Sequence, residues 1–187
     1  MNVIIFGPPG AGKGTQAINI VNKLNLFQVS TGDLLRTEVT NKTDIGKDIE
    51  NTISKGDFAT DEIVNDLIKK VVLDPKKKNK LIFDGYPRSL SQAKNLDILL
   101  KNSNQKIEFI FFLNVKKETI IKRIEKRSLL ENRTDDNLAT ILKRYDTYME
   151  TTKPVLDFYS ENANFYEIDG SEEIVEISTK IEQILSV

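Results

Sequence analysis

The sequence contains no cysteine and no histidine among its 187 residues. Disulfides, thiolate zinc sites and imidazole metal ligands are therefore excluded, and neither a thiol nor an imidazole can act as a general base. Any chemistry must come from lysine, arginine, aspartate and the backbone.

The sequence also has no large excess of either charge, because it contains 27 basic and 28 acidic residues and its net charge is -1. This balance predicts no global attraction to nucleic acid or to an anionic membrane. The one marked basic run, "DPKKKNK" at 74–80, is typical of a solvated turn before a strand. We therefore expect neither nucleic acid nor a membrane among the partners.

Long apolar runs are missing as well, and none approaches the 18 residues of a membrane span. Near Met1 no cationic segment precedes a small-residue cleavage site. We therefore expect a soluble cytoplasmic protein. At 187 residues with 39% hydrophobic side chains, the chain is predicted to form a single domain with its own core.

Short apolar segments alternate with helical patterns along the chain. The predicted strands are 2–6, 27–30, 80–85, 106–115 and 163–169. Such alternation predicts an α/β fold with a five-stranded parallel sheet. Two places break the pattern, a helical stretch without a strand at 30–59 and a polar interruption at 125–136. Pro154 is expected to kink the helix that starts near Asp136.

The opening segment "IIFGPPGAGKGTQ", residues 4–16, carries the strongest chemical signal. Gly7, Gly12 and Lys13 fit the pattern G-x-x-x-x-G-K, with a buried strand before it and a helix after it. Inward-facing backbone amides, the positive end of the helix and a lysine cation together bind a polyphosphate. Gly14 replaces the usual Ser or Thr, and a hydroxyl follows at Thr15.

Four motifs in this order resemble the adenylate kinases of the nucleoside monophosphate kinase family. They are "GPPGAGKGTQ", "STGDLLR" at 30–36, "FDGYPRS" at 83–89 with Gln92, and "NRTDD" at 132–136. The resemblance implies a P-loop NTPase fold with three α/β/α layers, a helical NMP-binding insertion at 30–59 and a short lid at 127–136. The core would then comprise 1–29, 60–126 and 137–187. The absence of cysteine agrees with a lid without zinc.

The resemblance also implies a set of functional residues. Catalytic roles would fall to Lys13, Asp84, Arg88, Arg127, Arg133 and Arg144. ATP would be bound by Gly10, Ala11, Gly12, Lys13, Gly14, Thr15, Arg123, Arg127 and Glu172, the last through its main chain. AMP would be bound by Thr31, Arg36, Asp57, Phe58, Ala59, Gly85, Tyr86, Pro87, Arg88, Gln92, Arg133 and Arg144. A cis bond is expected before Pro87, and Asp135 and Asp136 are expected to cap a helix and anchor the closed lid.

The implied reaction is reversible transfer of the ATP γ-phosphoryl group to AMP, giving two ADP, with a role in purine nucleotide homeostasis. Mg²⁺ would arrive as Mg-ATP, held by phosphates and by water that Asp84 orients, without direct protein ligands. The partners are ATP and AMP or ADP, and the chain is expected to be a monomer.

Three alternatives remain at this stage. A UMP/CMP or other nucleoside monophosphate kinase shares most of the motifs, but Thr31 in "TGD", Ser89 after Arg88 and Gln92 favour adenine. The segment "NKTD" at 41–44 matches a guanine-reading motif of GTPases, yet it lies in the helical stretch rather than after a late strand. A nucleotide-binding module without catalysis would have no use for so many arginines.

Overall fold

A computed structural model describes residues 1–55, 57, 59–131 and 138–186, without the side chains of 126–131, 138 and 141. Strands are β1 (Val3–Phe6), β2 (Phe27–Ser30), β3 (Leu81–Asp84), β4 (Phe109–Asn114) and β5 (Phe165–Asp169). Helices are α1 (Lys13–Leu24), α2 (Thr31–Thr40), α3 (Asp44–Ser54), α4 (Asp61–Val72), α5 (Leu90–Asn102), α6 (Lys117–Glu131), α7 (Leu138–Thr147), α8 (Lys153–Ser160) and α9 (Ile174–Leu185).

The five strands form one sheet in the order β2-β3-β1-β4-β5, and every pair is parallel. In the central strand, Ile4 pairs with Phe83 of β3 on one side and with Ile110 of β4 on the other. From β1 the chain crosses to the edge strand β2, returns to β3 next to β1, and then adds β4 and β5 on the other side of β1. The predicted five-stranded parallel sheet is confirmed, and loops from both halves meet beyond the carboxyl end of β1.

Both faces of the sheet are covered by helices. Because alternate residues of a strand point to opposite faces, Ile4 and Phe6 join one hydrophobic cluster while Val3 and Ile5 join another. The first cluster contains buried residues of α3, α4, α5 and α8. The second contains buried residues of α1, α6 and α9. This two-sided burial explains the continuous apolar runs in the strands, and it confirms the α/β fold with helical layers on both sides.

The stretch between β2 and α4 is helical, as expected, and its two helices touch closely. Gly46 in the first turn of α3 lies against the backbone oxygen of Glu38 in α2, so that a Cβ at this position would overlap that oxygen. The Ser30 hydroxyl caps α2 and the Thr43 hydroxyl caps α3. Whether 30–59 moves as a unit, as an NMP-binding insertion would, stays a prediction.

Several predicted boundaries were wrong. The fourth strand begins at Phe109 rather than 106, because the backbone oxygen of Lys106 accepts a hydrogen bond from the Asn2 side chain instead of joining the sheet. The interruption predicted from 125 begins later, because α6 continues to Glu131 through residues without glycine or proline. The first five residues of the predicted lid, 127–131, therefore extend α6. Residues 132–137, including Asp135 and Asp136, lie outside the described chain.

Pro154 lies in the first turn of α8, directly after a π-helical turn at Tyr148–Thr152. The backbone N–H of Lys153 reaches back five residues to the oxygen of Tyr148, which gives the helix a wider turn where proline supplies no donor. Where a kink was predicted at Pro154, the structure has a π-helical turn directly before that residue. Among the helices that the structure describes, none is both long and apolar enough to cross a membrane.

Candidate active site

A cavity of about 750 Å³ opens beyond the carboxyl ends of the strands. Its walls come from the glycine-rich loop after β1, the start of α2, the β3–α5 connection, helices α6 and α7, and the loop before α9. In open α/β sheets ligands bind at this edge, near the point where the strand order reverses. The cavity volume suits a small-molecule ligand.

The glycine-rich loop forms the floor of this cavity. Gly10 and Gly12 have φ angles of 80° and 95°, which glycine adopts without strain, and Gly12 caps α1. The Lys13 ammonium group donates hydrogen bonds to the backbone oxygens of Gly7 at 2.8 Å and Pro8 at 3.1 Å. The cation is therefore held over the loop, at the positive end of a helix. This arrangement matches a polyphosphate site.

Arg88 lines the same cavity and lies near the end of the β3–α5 connection. Its Nε donates to the Gly85 backbone oxygen at 2.7 Å, and its Nη2 donates to Thr31 Oγ1 at 3.3 Å. Burial lowers the pKa of Arg88 to about 10, the Asp84 carboxylate opposes this effect, and the positive charges of Arg144 and Arg36 add to it. A desolvated cation beside two others is stabilised when an anion binds.

The other predicted arginines come from separate helices. Arg36 in α2 and Arg144 in α7 both line the cavity, and their positive charges help to lower the pKa of Arg88. Arg123 in α6 donates to the backbone oxygens of Gly170 at 2.7 Å and Glu172 at 3.3 Å. The structure therefore brings four of the six predicted arginines to one cavity. The side chain of Arg127 and all of Arg133 lie outside the described residues.

Asp84 ends β3 beside the glycine-rich loop. Its Oδ2 lies 3.6 Å from the position that a Cβ on Gly14 would occupy, and it accepts a hydrogen bond from Gln28 Nε2 at 3.0 Å. Within the described residues no group of three or more Asp, Glu, His or Cys could hold a metal ion directly. A lone carboxylate next to a phosphate loop suits Mg²⁺, which keeps several waters and takes phosphate oxygens as ligands.

The residues predicted to meet AMP differ in their surroundings. Gln92 lines the cavity but is 4% exposed, and its Oε1 accepts a hydrogen bond from the backbone N–H of Arg88 at 2.7 Å. Tyr86 is fully buried, and its hydroxyl donates to Asn65 Oδ1 at 2.7 Å. The Tyr86 side chain therefore supports the connection from the core, while the cis-linked Pro87 lines the cavity.

The remaining predicted residues are placed as follows. Asp57 lines the cavity and forms an exposed ion pair with Lys143 of α7, with 2.6 Å between Nζ and Oδ1. The Glu172 carboxylate is 2.6 Å from the Lys180 ammonium, so that its backbone is the part nearest Arg123. Gly10, Ala11, Gly12, Gly14, Thr15, Thr31, Ala59 and Gly85 also line the cavity. Phe58 lies outside the described residues.

Sequence reasoning missed three contributors to this site. Gln28 holds the Asp84 carboxylate, Asp61 accepts a hydrogen bond from Gln92 Nε2 at 2.7 Å, and Thr152 Oγ1 donates to the backbone oxygen of Arg88 at 3.1 Å. Each joins residues at least 31 positions apart. The position of Gln28 between two apolar residues of the short β2 strand is the sequence signal that could have indicated it.

A parallel α/β sheet, a G-x-x-x-x-G-K loop after its central strand and arginines converging from several helices define a P-loop phosphotransferase. The family model described as Adenylate kinase matches residues 5–164. The chain is also similar to the adenylate kinase of Pelagibacter ubique, at 51% identity with 100% of both chains covered. It is 42% identical to that of Azobacteroides pseudotrichonymphae, covering 97% of this chain and 95% of the relative. For that of Caulobacter sp. the identity is 37%, with 100% and 99% covered.

The chain therefore belongs to the adenylate kinase family, and it is a phosphotransferase of the nucleoside monophosphate kinase class. The family named from the four motifs is confirmed. The pyrimidine-kinase alternative is not favoured, because the relatives matched across the whole chain carry the name adenylate kinase.

Proposed function

We propose that this protein transfers the γ-phosphoryl group of Mg-ATP reversibly to AMP, giving two ADP and contributing to purine nucleotide homeostasis. The observation that carries the proposal is a single cavity lined by the glycine-rich loop and by the desolvated Arg88, close enough to Arg36 and Arg144 for their charges to lower its pKa. One wall suits a triphosphate, and the opposite wall suits a monophosphate. Both nucleotides would then be held in one cleft, with their phosphates in line.

On the ATP side, the backbone amides of the loop from Gly10 to Thr15 would bind the phosphates. Lys13 would exchange its carbonyl contacts for phosphate oxygens. Arg123, held by the backbone oxygens of Gly170 and Glu172, would lie along the same nucleotide together with Arg127. Glu172 would contribute its main chain alone, since its carboxylate is occupied by Lys180.

On the AMP side, Arg36, Arg88 and Arg144 would hold the phosphate, and Arg133 would join them. Thr31, Gln92 and the backbone of 57–59 and 85–87 would surround the base and sugar. Gln92 would read adenine through the free donor and acceptor of its amide. Guanidinium groups suit the task because their planar forks match phosphate oxygens in pairs.

Asp84 and the Thr15 hydroxyl would hold the waters and phosphates around Mg²⁺. When bound, Mg²⁺ neutralises phosphate charge and fixes the geometry of the phosphate oxygens. Gln28 would keep the Asp84 carboxylate pointed at the loop. No general base is required, because the accepting oxygen of AMP already belongs to a phosphate anion.

The arginines lower the barrier because their charges are in place before the reaction begins. Transfer must also exclude water, which would otherwise accept the phosphoryl group. We infer that 30–59 closes over AMP as the NMP-binding insertion and that 127–136 closes over the phosphates as the short lid. The ion pair between Asp57 and Lys143 joins the end of the first segment to α7 and supports such a closing contact.

The test supplies ATP and Mg²⁺ with AMP, UMP, CMP or GMP in turn and measures diphosphate production. AMP should give the highest kcat/KM, and omission of Mg²⁺ should abolish turnover. Arg88→Lys, which keeps the charge and loses the planar fork, should lower kcat on the order of 100-fold. Lys101→Arg, at the far end of α5, is the matched control. Equal turnover with UMP, or a normal rate for Arg88→Lys, would contradict the proposal.

A monomeric state and a cytoplasmic location stay predictions. Size-exclusion chromatography with light scattering should give a mass near 21.3 kDa.

A further inference from the structure

Asp61, the first residue of α4, links the AMP side of the cavity to the core. Its Oδ1 accepts a hydrogen bond from Gln92 Nε2 at 2.7 Å, and its Oδ2 accepts one from Ser89 Oγ, also at 2.7 Å. Ser89 Oγ in turn accepts the backbone N–H of Gln92 at 3.1 Å and so caps α5. Both carboxylate oxygens therefore hold the turn that carries Arg88 and Gln92.

These contacts fix which way round the Gln92 amide lies. A carboxylate can only accept hydrogen bonds, so the Gln92 NH₂ group must face Asp61. A backbone N–H can only donate, so Gln92 Oε1 must face Arg88. Exchanging the amide oxygen and nitrogen would place the Gln92 oxygen against the Asp61 carboxylate and the Gln92 NH₂ group against the Arg88 N–H. At 4% exposure, little room remains for water to substitute for either contact.

The orientation matters because adenine and 6-oxopurines present opposite hydrogen-bonding patterns. Adenine offers a ring-nitrogen acceptor beside its 6-amino donor, whereas hypoxanthine and guanine offer a ring N–H donor beside a 6-oxo acceptor. A carboxamide carries one donor and one acceptor side by side, and it matches either base if it is free to turn over. When its orientation is fixed, the amide matches only one of these two kinds of purine.

We propose that Asp61 is a positioning residue that sets the choice of a 6-aminopurine over a 6-oxopurine by fixing the Gln92 amide. The inference rests on the proposed function, in which Gln92 reads the base of the monophosphate. Asp61 acts through Gln92 and need not touch the substrate. Asp61 disfavours the inverted amide, because that orientation would leave the Asp61 carboxylate and the Arg88 backbone N–H without suitable partners.

The test compares AMP with inosine monophosphate, which differs at the 6-position and lacks the 2-amino group of GMP. Asp61→Ala should raise the KM for AMP about tenfold, with a smaller effect on kcat. The ratio of kcat/KM for AMP to that for inosine monophosphate should fall by a similar factor. Glu62→Ala, which removes an exposed carboxylate from the same first turn of α4, is the matched control and should leave the ratio unchanged.

A double-mutant cycle separates positioning from a merely structural role. If Asp61 sets the choice of base through Gln92, Asp61→Ala should leave the substrate ratio unchanged in a Gln92→Ala background. Additive effects, or an unchanged ratio for Asp61→Ala alone, would overturn the inference and leave the proposed reaction intact. Should Gln92→Ala by itself leave AMP recognition unchanged, the base reader of the proposed function fails, and the inference fails with it.

Asp61→Ser guards against a variant that does not fold. Serine is favourable near a helix start, and its hydroxyl can donate or accept, so that it imposes no orientation on the amide. The same loss of discrimination is expected, with ATP affinity unchanged because the glycine-rich loop is untouched. Retained discrimination in a folded Asp61→Ser protein would count against the proposal.

Discussion

Replacing Arg88 by methionine should stabilise the nucleotide-free protein while removing its activity. The pKa of Arg88 is lowered to about 10, roughly two and a half pH units below its ordinary value, by burial and by the charges of Arg144 and Arg36. At about 1.4 kcal/mol per pH unit, keeping this cation in the folded state costs about 3.5 kcal/mol. Methionine has a similar length and no charge, so that this cost disappears.

Part of that gain is offset by lost hydrogen bonds, although the acceptor of the Arg88 Nε bond keeps a second donor. The Gly85 oxygen, which accepts from Arg88 Nε, also accepts from Thr31 Oγ1 at 2.8 Å. The net increase in the free energy of unfolding should therefore be about 1.5 kcal/mol, because the two lost bonds together contribute about 1–3 kcal/mol. For a chain of this size that corresponds to a rise in Tm of roughly 3–6 °C.

Urea titration without nucleotide measures the effect, with Arg36→Met as control. The Arg36 guanidinium pairs with Asp33 at the surface with 40% of its side chain exposed, so its loss should change stability by less than about 1 kcal/mol. The gain for Arg88→Met should stay constant between about pH 6 and 9, because Arg88 is charged in both states there. It should shrink above about pH 10, where the folded wild type releases the proton first. A less stable Arg88→Met protein with an unchanged m-value would refute the reasoning.

Three further changes test other parts of the structure. Gly46→Ala should lower the free energy of unfolding by about 2 kcal/mol, because its Cβ would overlap the Glu38 oxygen; a urea titration indistinguishable from wild type would contradict this contact. Tyr148→Phe should raise the free energy of unfolding by about 1 kcal/mol, because in the described part of the chain the buried Tyr148 hydroxyl has no hydrogen-bond partner. A lower Tm for this variant in calorimetry would show that the hydroxyl does form a hydrogen bond. Burial raises the pKa of Asp97, so Asp97→Asn should stabilise the protein at pH 7. The gain should disappear below about pH 4, where Asp97 is protonated in both the folded and the unfolded protein. An equal gain in stability at the two pH values would exclude burial of the charge as its cause.

The phosphate side of the site could be predicted because its determinants are adjacent in the chain. Glycine spacing, a following lysine and a flanking strand and helix are local features, and the structure places Gly12 and Lys13 as this pattern requires. The central strands β1 and β3 could also be predicted, because burial on both faces leaves a run of apolar residues. In each case a few consecutive residues determine the outcome.

The polar network behind the site could not be predicted in the same way. Asp61 and Gln92 come together because α4 and α5 pack on one face of the sheet, and Gln28 meets Asp84 because β2 pairs with β3. No spacing in the sequence encodes these pairings. The end of α6 was misjudged for another reason, since polar residues without glycine or proline interrupt the hydrophobic pattern without ending a helix.

The π turn at Tyr148–Thr152 sets the angular relation between two helices with different tasks. Before it, α7 carries Arg144 into the cavity; after it, α8 buries Val155 in the core. Deleting one residue from this turn would rotate one helix against the other by about 100°. With α8 held by its packing, Arg144 would swing away from Arg88. A single-residue deletion here should therefore give a folded protein in which Arg144 no longer lies beside Arg88, so the length of this segment constrains the arginine cluster more tightly than it constrains folding.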